Sequence, residues 1–189
     1  MDCISIKNLE VFSKHGVYEE ENRLGQKFAI DVELYINTRV AGVSDDIDKS
    51  VDYGKVCHFV NAFMRGHTYK LIETAAERLA EDILIEFPLV SHLNITVKKP
   101  WAPIGLPLEE VSVTITRGWH KAFISLGSNE GEREQNIKQA IDYLRENDRI
   151  RVIKESSIIE TEPYGNTNQD NFLNSAAEIM TLHTPSELL

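Results

Sequence analysis

The 189 residues include only two cysteines, Cys3 and Cys57, which form no C-x-x-C metal pair and are too few for a disulfide framework. Long apolar runs are missing as well. No stretch approaches the roughly 20 residues that a membrane-spanning helix needs. No basic start leads into an apolar segment, so neither a bilayer span nor a signal peptide is expected. Basic excess is also lacking: 20 Lys and Arg face 30 Asp and Glu, a formal net charge of -10. That sign disfavours nucleic-acid phosphates and anionic membrane surfaces as partners. The six histidines show neither H-x-H nor H-E-x-x-H spacing, and no metal site is expected from them. A Walker A loop, a Rossmann glycine fingerprint and a G-x-S-x-G elbow are absent too. The expectation left standing is a cytoplasmic protein without nucleic-acid or membrane partners. Its 42% hydrophobic content suffices for a packed core.

The patterning that is present predicts an α+β fold. Cys3 to Ser13 reads as a strand whose phase slips between Ile6 and Leu9, the mark of a bulge. Phe28, Ile30, Val32, Leu34 and Ile36 alternate with Ala29, Asp31, Glu33, Tyr35 and Asn37 in a second strand. An acidic loop from Ser44 to Ser50 precedes helices expected over 53–65 and 71–87. In the second, Leu71, Ile72, Ala75, Ala76, Leu79, Ile83 and Leu84 form one apolar stripe. Two further alternating strands carry Leu93, Ile95 and Val97, then Val111, Val113 and Ile115, with a Pro/Gly loop between them. This order suggests an antiparallel sheet covered on one face by helices.

Near Trp119 to Lys121 the pattern restarts. Residues 1–118 are therefore expected to form one domain, 119–121 a linker and 122–189 a second domain. In the second, Ala122 to Leu126 and Arg151 to Glu160 read as strands, Ile137 to Leu144 as part of a helix, and Phe172 to Met180 as a last strand. Pro185-Ser186 resembles a helix start close to Leu189, so this domain is expected to be incomplete.

The candidate chemistry lies in polar groups at the edges of these elements. Glu21-Asn22-x-x-Gly25-Gln26 precedes the second strand, Val51-Asp52-Tyr53-Gly54 follows the acidic loop, Leu71-Ile72-Glu73 opens a helix and Lys99-Pro100 closes a strand. Singly, each has a plain structural account: a solvated turn, an amphipathic cap, a first-turn acid, a strand-end charge. Asp46-Ile47-Asp48, the single D-x-D, reads as a solvated acidic cluster.

Together these segments resemble dihydroneopterin aldolase, from Glu21-Asn22-Arg23-Leu24-Gly25-Gln26 through Ser44-Asp45-Asp46, Val51-Asp52-Tyr53-Gly54 and Leu71-Ile72-Glu73 with Ala76-Glu77-Arg78 to Lys99-Pro100-x-Ala102-Pro103-Ile104. The resemblance implies a tunnelling fold (T-fold), a four-stranded antiparallel sheet backed by two helices. It further implies a homo-oligomer, tetramer or octamer, with active sites between subunits. By motif, Glu73 and the Ile72 backbone would hold the pterin ring, and Glu21, Tyr53 and Lys99 would serve proton transfer, with Lys98 as the neighbouring alternative. No metal or other cofactor is implied for this half, because the pterin's own C=N can take up the electron pair released on cleavage.

Ala122-Phe123-Ile124-Ser125-Leu126-Gly127-Ser128-Asn129 resembles the opening of hydroxymethyl-dihydropterin pyrophosphokinase. Glu160-Thr161-Glu162-Pro163-Tyr164-Gly165, Gln169 to Asn174, and Pro185 to Leu189 continue that likeness. It implies a ferredoxin-like α+β domain, incomplete here. Thr161, Tyr164, Phe172 and Asn174 match its pterin pocket, Phe172 stacking on the ring and Asn174 bonding its edge. A complete domain of that kind uses ATP and Mg2+, through ligands placed further along than Leu189. This half is therefore expected to be inactive alone, and the whole resembles the front of a bifunctional folate-biosynthesis enzyme.

Two other functions compete. One is an epimerase acting on dihydroneopterin or its triphosphate, in which the same pocket returns the fragment inverted. The other is a non-catalytic pterin-binding protein, which Glu21, Tyr53 and Lys99 beside Glu73 argue against. Pyruvoyl-tetrahydropterin synthase, another T-fold enzyme, would need a zinc histidine cluster.

Overall fold

Phe28, Ile30, Val32, Leu34 and Ile36 are all buried along one face of β2 (Gln26–Ile36), as strict alternation demands of a half-covered strand. The computed structural model describes residues 2–165 and 168–189. They divide into two units, Met1–Gly118 and Trp119–Leu189.

In the first unit, β1 (Asp2–Ser13), β2, β3 (His92–Lys99) and β4 (Val111–Gly118) form an antiparallel sheet in chain order. The register of β1 against β2 shifts between Ile6 and Leu9. The phase slip in the sequence is this bulge, with Asn8 at φ 57° and its N–H donating to Asp31 Oδ1 at 2.7 Å. Helices α3 (Tyr53–Gly66) and α4 (Ile72–Glu86) cover one face. Val56, Val60 and Met64 from α3 and Leu79, Ile83 and Leu84 from α4 are buried with the β2 row and with Leu93, Ile95 and Val97 of β3. Each such side chain contributes about 1.5–3 kcal/mol of apolar burial, so this interface is where the unit's stability resides.

Two short helices escape the sequence reading. α1 (Glu19–Leu24) occupies the segment carrying Glu21, and α2 (Arg39–Ser44) precedes the acidic loop, which itself contains a 3-10 turn at Ile47–Lys49. Six residues give fewer than two turns, too short a span for a hydrophobic period to show. In the acidic loop Asp46 accepts from Asp48 N–H at 3.1 Å and pairs with Lys49 at 3.3 Å.

The second unit has the sheet order β5-β8-β6, with β7 also pairing β8. Its elements are β5 (His120–Ser128), α5 (Arg133–Glu146), β6 (Ile150–Glu155), β7 (Ile159–Thr161), β8 (Phe172–Thr181) and α6 (Pro185–Leu188). Ile137 and Ile141 of α5 are buried, as are Ile150, Ala177 and Ile179 on the sheet. Two expectations need correction. His120 and Lys121, read as linker, already belong to β5. The single strand read over 151–160 is two, parted at Ser156, whose Oγ takes the Ala176 N–H at 2.9 Å.

Candidate active site

β3 ends in two adjacent lysines, and strand alternation sends them to opposite faces. Lys98 shares the helix-free face with Asn94 and Thr96, and its Nζ lies 2.7 Å from Asp31 Oδ2. Hydrogen bonding to Asp31 holds the Lys98 ammonium above its ordinary range. Lys99 continues the row of Leu93, Ile95 and Val97. Its Nζ lies 2.5 Å from Glu21 Oε1, with the two side chains 12% and 8% exposed.

α1 delivers Glu21 to this meeting. Glu21 Oε1 also accepts from Gln26 Nε2 at 2.9 Å, and Oε2 accepts from the Tyr18 N–H at 3.1 Å. A side chain at Gly16 would place its Cβ 2.3 Å from Oε2, so the carboxylate lies directly against a glycine backbone. Gly25 ends α1 at φ 73°, a conformation glycine adopts without strain, and turns the chain into β2. Burial raises the Glu21 pKa, but the hydrogen bonds from Lys99, Tyr18 and Gln26 outweigh it, and the carboxyl titrates below its usual value of 4.5. Glu21 is thus a saturated, ionised anchor for Lys99.

Glu73 differs in every respect. It stands in the first turn of α4, exposed, and among the described residues no hydrogen bond engages its carboxylate. The first-turn N–H groups beside it, including that of the buried Ile72, have no partner within the helix. A free bidentate acceptor next to unpaired donors suits a planar ligand edge that presents N–H groups.

Tyr53 opens α3, whose N-cap Asp52 accepts from Gly54 N–H at 2.8 Å and Lys55 N–H at 3.2 Å. Its ring is 63% exposed, and among the described residues no hydrogen bond or ring contact joins it to Glu21, Lys99 or Glu73. One chain thus unites Glu21 with Lys99 and does not bring Tyr53 to them. Gln26 and Gly16 touch the Glu21 carboxylate directly, yet the sequence reading assigned them no role. Gln26 closes the motif that begins at Glu21, but nothing in that spacing tells of a direct contact, and Gly16 lies outside every motif.

In the second unit Asn174 Nδ2 donates to Thr161 Oγ1 at 2.8 Å across the β7–β8 pairing, which also sets Thr161 opposite Phe172. Phe172 is half-buried and Tyr164 is fully exposed. Among the described residues no three His, Cys, Asp or Glu side chains gather as metal ligands.

Comparison with known proteins follows the two-unit division. A family model described as dihydroneopterin aldolase matches residues 4–116, and one described as 7,8-dihydro-6-hydroxymethylpterin-pyrophosphokinase matches residues 123–189. A curated dihydroneopterin aldolase of Bacillus subtilis is 35% identical over 117 residues, 62% of this chain and 98% of that protein. One of Streptomyces coelicolor is 38% identical over 117 residues, with the same coverage of 62% and 98%. Among solved structures, Escherichia coli dihydroneopterin aldolase in complex with neopterin aligns at a TM-score of 0.58 and 32% identity, over 62% of this chain and all of that one.

Proposed function

The chain belongs, through residues 4–116, to the dihydroneopterin aldolase family and carries its T-fold sheet, and from that premise we propose how its own residues perform the cleavage. The products are hydroxymethyl-dihydropterin and glycolaldehyde. The observation that carries the reading is the buried Glu21–Lys99 pair, with the exposed carboxylate of Glu73 in the first turn of α4 as the ring anchor. Glu73 accepts hydrogen bonds from the amino group and ring N–H of the pterin, with the Ile72 backbone assisting. That fixes the ring so that its three-carbon side chain lies toward Lys99, the kind of orientation from which much of an enzyme's rate gain comes.

Cleavage needs one proton removed and one delivered. A side-chain hydroxyl gives up its proton as its carbon becomes the aldehyde carbon of glycolaldehyde, and the neighbouring carbon–carbon bond breaks. The electron pair of that bond passes into the conjugated C=N of the pterin, and the ring-side carbon then takes up a proton to become hydroxymethyl. Lys99, held in place by Glu21, and Tyr53 move these protons, general acid–base work worth about 10²–10⁴-fold. Tyr53 comes from a neighbouring subunit of a homo-oligomer, consistent with its exposure in the single chain. The pterin ring supplies the electron sink, so the reaction requires no metal.

The second unit, matched by the pyrophosphokinase family, uses Thr161, Tyr164, Phe172 and Asn174 as a pterin pocket in the same soluble, cytoplasmic pathway. The test is incubation of the purified chain with dihydroneopterin in the presence of a chelator, with products separated by chromatography. Hydroxymethyl-dihydropterin and glycolaldehyde are expected in equal amounts. Only inverted dihydroneopterin would make the chain an epimerase, and substrate bound but unchanged would make it a pterin-binding protein.

A further inference from the structure

His15 has no part in the chemistry proposed above, yet it is completely buried, immediately beyond β1. Its ring meets Phe28 edge-on at 5.4 Å between centroids and stacks on Tyr69 at 5.5 Å. Tyr69 in turn stacks on His67 at 5.7 Å. His15 Nδ1 accepts the Tyr69 N–H at 3.0 Å, which assigns the proton of the neutral ring to Nε2. Burial pushes this imidazole down to about 4; the Met64 carbonyl opposes the shift, and the charges of His67 and Lys99 add to it. A neutral ring with no exposed surface cannot touch substrate, so its contribution must be exerted through its neighbours.

Those neighbours lead to both halves of the site. Gly16 N–H donates to Tyr69 O at 2.9 Å, so His15-Gly16 and Tyr69 exchange two hydrogen bonds. Gly16 supports the Glu21 carboxylate on one side, and its own carbonyl accepts from Asn22 Nδ2 of α1 at 3.0 Å. Tyr69 lies three residues before α4, whose first turn carries Glu73. This bridge therefore ties the segment that supports Glu21 to the segment that leads into α4 and Glu73.

We infer that His15 is a positioning residue: by accepting the Tyr69 N–H it sets the spacing between the proton-transfer pair Glu21–Lys99 and the ring anchor Glu73. The inference rests on the aldolase reading of that site. An acceptor is what the position requires, and charge is not. A leucine would fill the space without accepting, while an asparagine presents Oδ1 close to where Nδ1 stands.

The experiment compares wild type, His15→Leu and His15→Asn for turnover of dihydroneopterin, for affinity toward neopterin as an uncleaved probe, and for thermal unfolding. Assays are run well below each variant's Tm. His15→Leu is expected to lose about tenfold or more in kcat while neopterin affinity stays within about threefold, because ring anchoring survives when the reacting geometry slips. His15→Asn is expected to recover most of kcat. A His15→Leu enzyme within about twofold of wild-type kcat would overturn the inference, and so would an asparagine no better than leucine. Wild type that binds neopterin without turning over dihydroneopterin would instead remove the aldolase reading. His15 is then judged by hydrogen exchange at the Tyr69 amide, which should quicken in His15→Leu and recover in His15→Asn; exchange equal in all three would overturn the positioning role.

Discussion

Glu21 keeps its charge where water barely reaches, and the reason is local: two carboxylate oxygens face an ammonium, an amide and a backbone N–H. Removing one partner of such a buried pair costs about 3–5 kcal/mol, because the other charge is left unpaired. Glu21→Ala is therefore expected to lower stability and turnover together. Glu73→Gln should barely change stability and should weaken neopterin binding by roughly tenfold or more, as expected when a charged hydrogen-bond acceptor is lost. Urea titration and a binding isotherm on each variant check the contrast. His15 gives a pH signature. Its folded pKa of about 4 lies below the ordinary 6.5, so the unfolded chain binds more protons across that window. Stability should be complete above pH 6.5 and fall by about 3 kcal/mol as the pH drops to 4. Glu21, depressed from 4.5, begins to lose its own contribution as the pH falls below 4.5. His15→Leu should flatten the slope between those limits, measured by unfolding at a series of pH values; an unchanged slope would place its origin elsewhere. At this scale the motifs marked Glu21, Glu73 and Lys99 as candidates. Gln26 stood in the Glu21 motif without a role assigned to it, and Gly16 lay outside every motif; their contacts with the Glu21 carboxylate emerge only on folding.

At the scale of elements, the proposed site draws on the ends of elements. Glu21 rides on a six-residue helix, Lys99 on the last position of β3, and Glu73 and Tyr53 on the first turns of α4 and α3. The long elements were legible because burial imposes a period on them. The bulge of β1 was legible for the same reason, since a slipped phase can be seen only against a regular one. α1 and α2 were not, because fewer than two turns leave no period to read. The N-cap of α3 offers a test. Asp52→Ala removes bonds to the Gly54 and Lys55 N–H groups and should cost about 1 kcal/mol. If the first turn of α3 holds Tyr53 for proton transfer, kcat should fall in Asp52→Ala while neopterin affinity holds. An unchanged kcat would separate Tyr53 from the cap that orients it.

For the whole molecule, the first unit's sheet begins and ends on long strands, β1 and β4, whose outer edges have no strand partner within the sheet. Ring assembly from several copies would cover such edges and would bring the exposed Tyr53 of one copy to the Lys99 of another. Tyr53→Phe and Lys99→Ala chains, each expected to be nearly inactive alone, should regain turnover when co-expressed, because mixed rings contain pockets with both native groups. Activity no higher than the sum of the separate variants would place Tyr53 and Lys99 on one chain or remove Tyr53 from the site. A site shared between copies was already implied by the family resemblance, and the exposure of Tyr53 in the single chain accords with it.

Strand alternation separates two adjacent lysines, one paired with Asp31 away from the helices and one paired with Glu21. The most direct measurement is dihydroneopterin turnover, with chelator present, by wild type, Lys98→Ala and Lys99→Ala side by side. Lys99→Ala should lose on the order of 10²-fold or more in kcat, while Lys98→Ala should stay within about threefold of wild type. Near-normal turnover by Lys99→Ala would contradict the assignment at its centre.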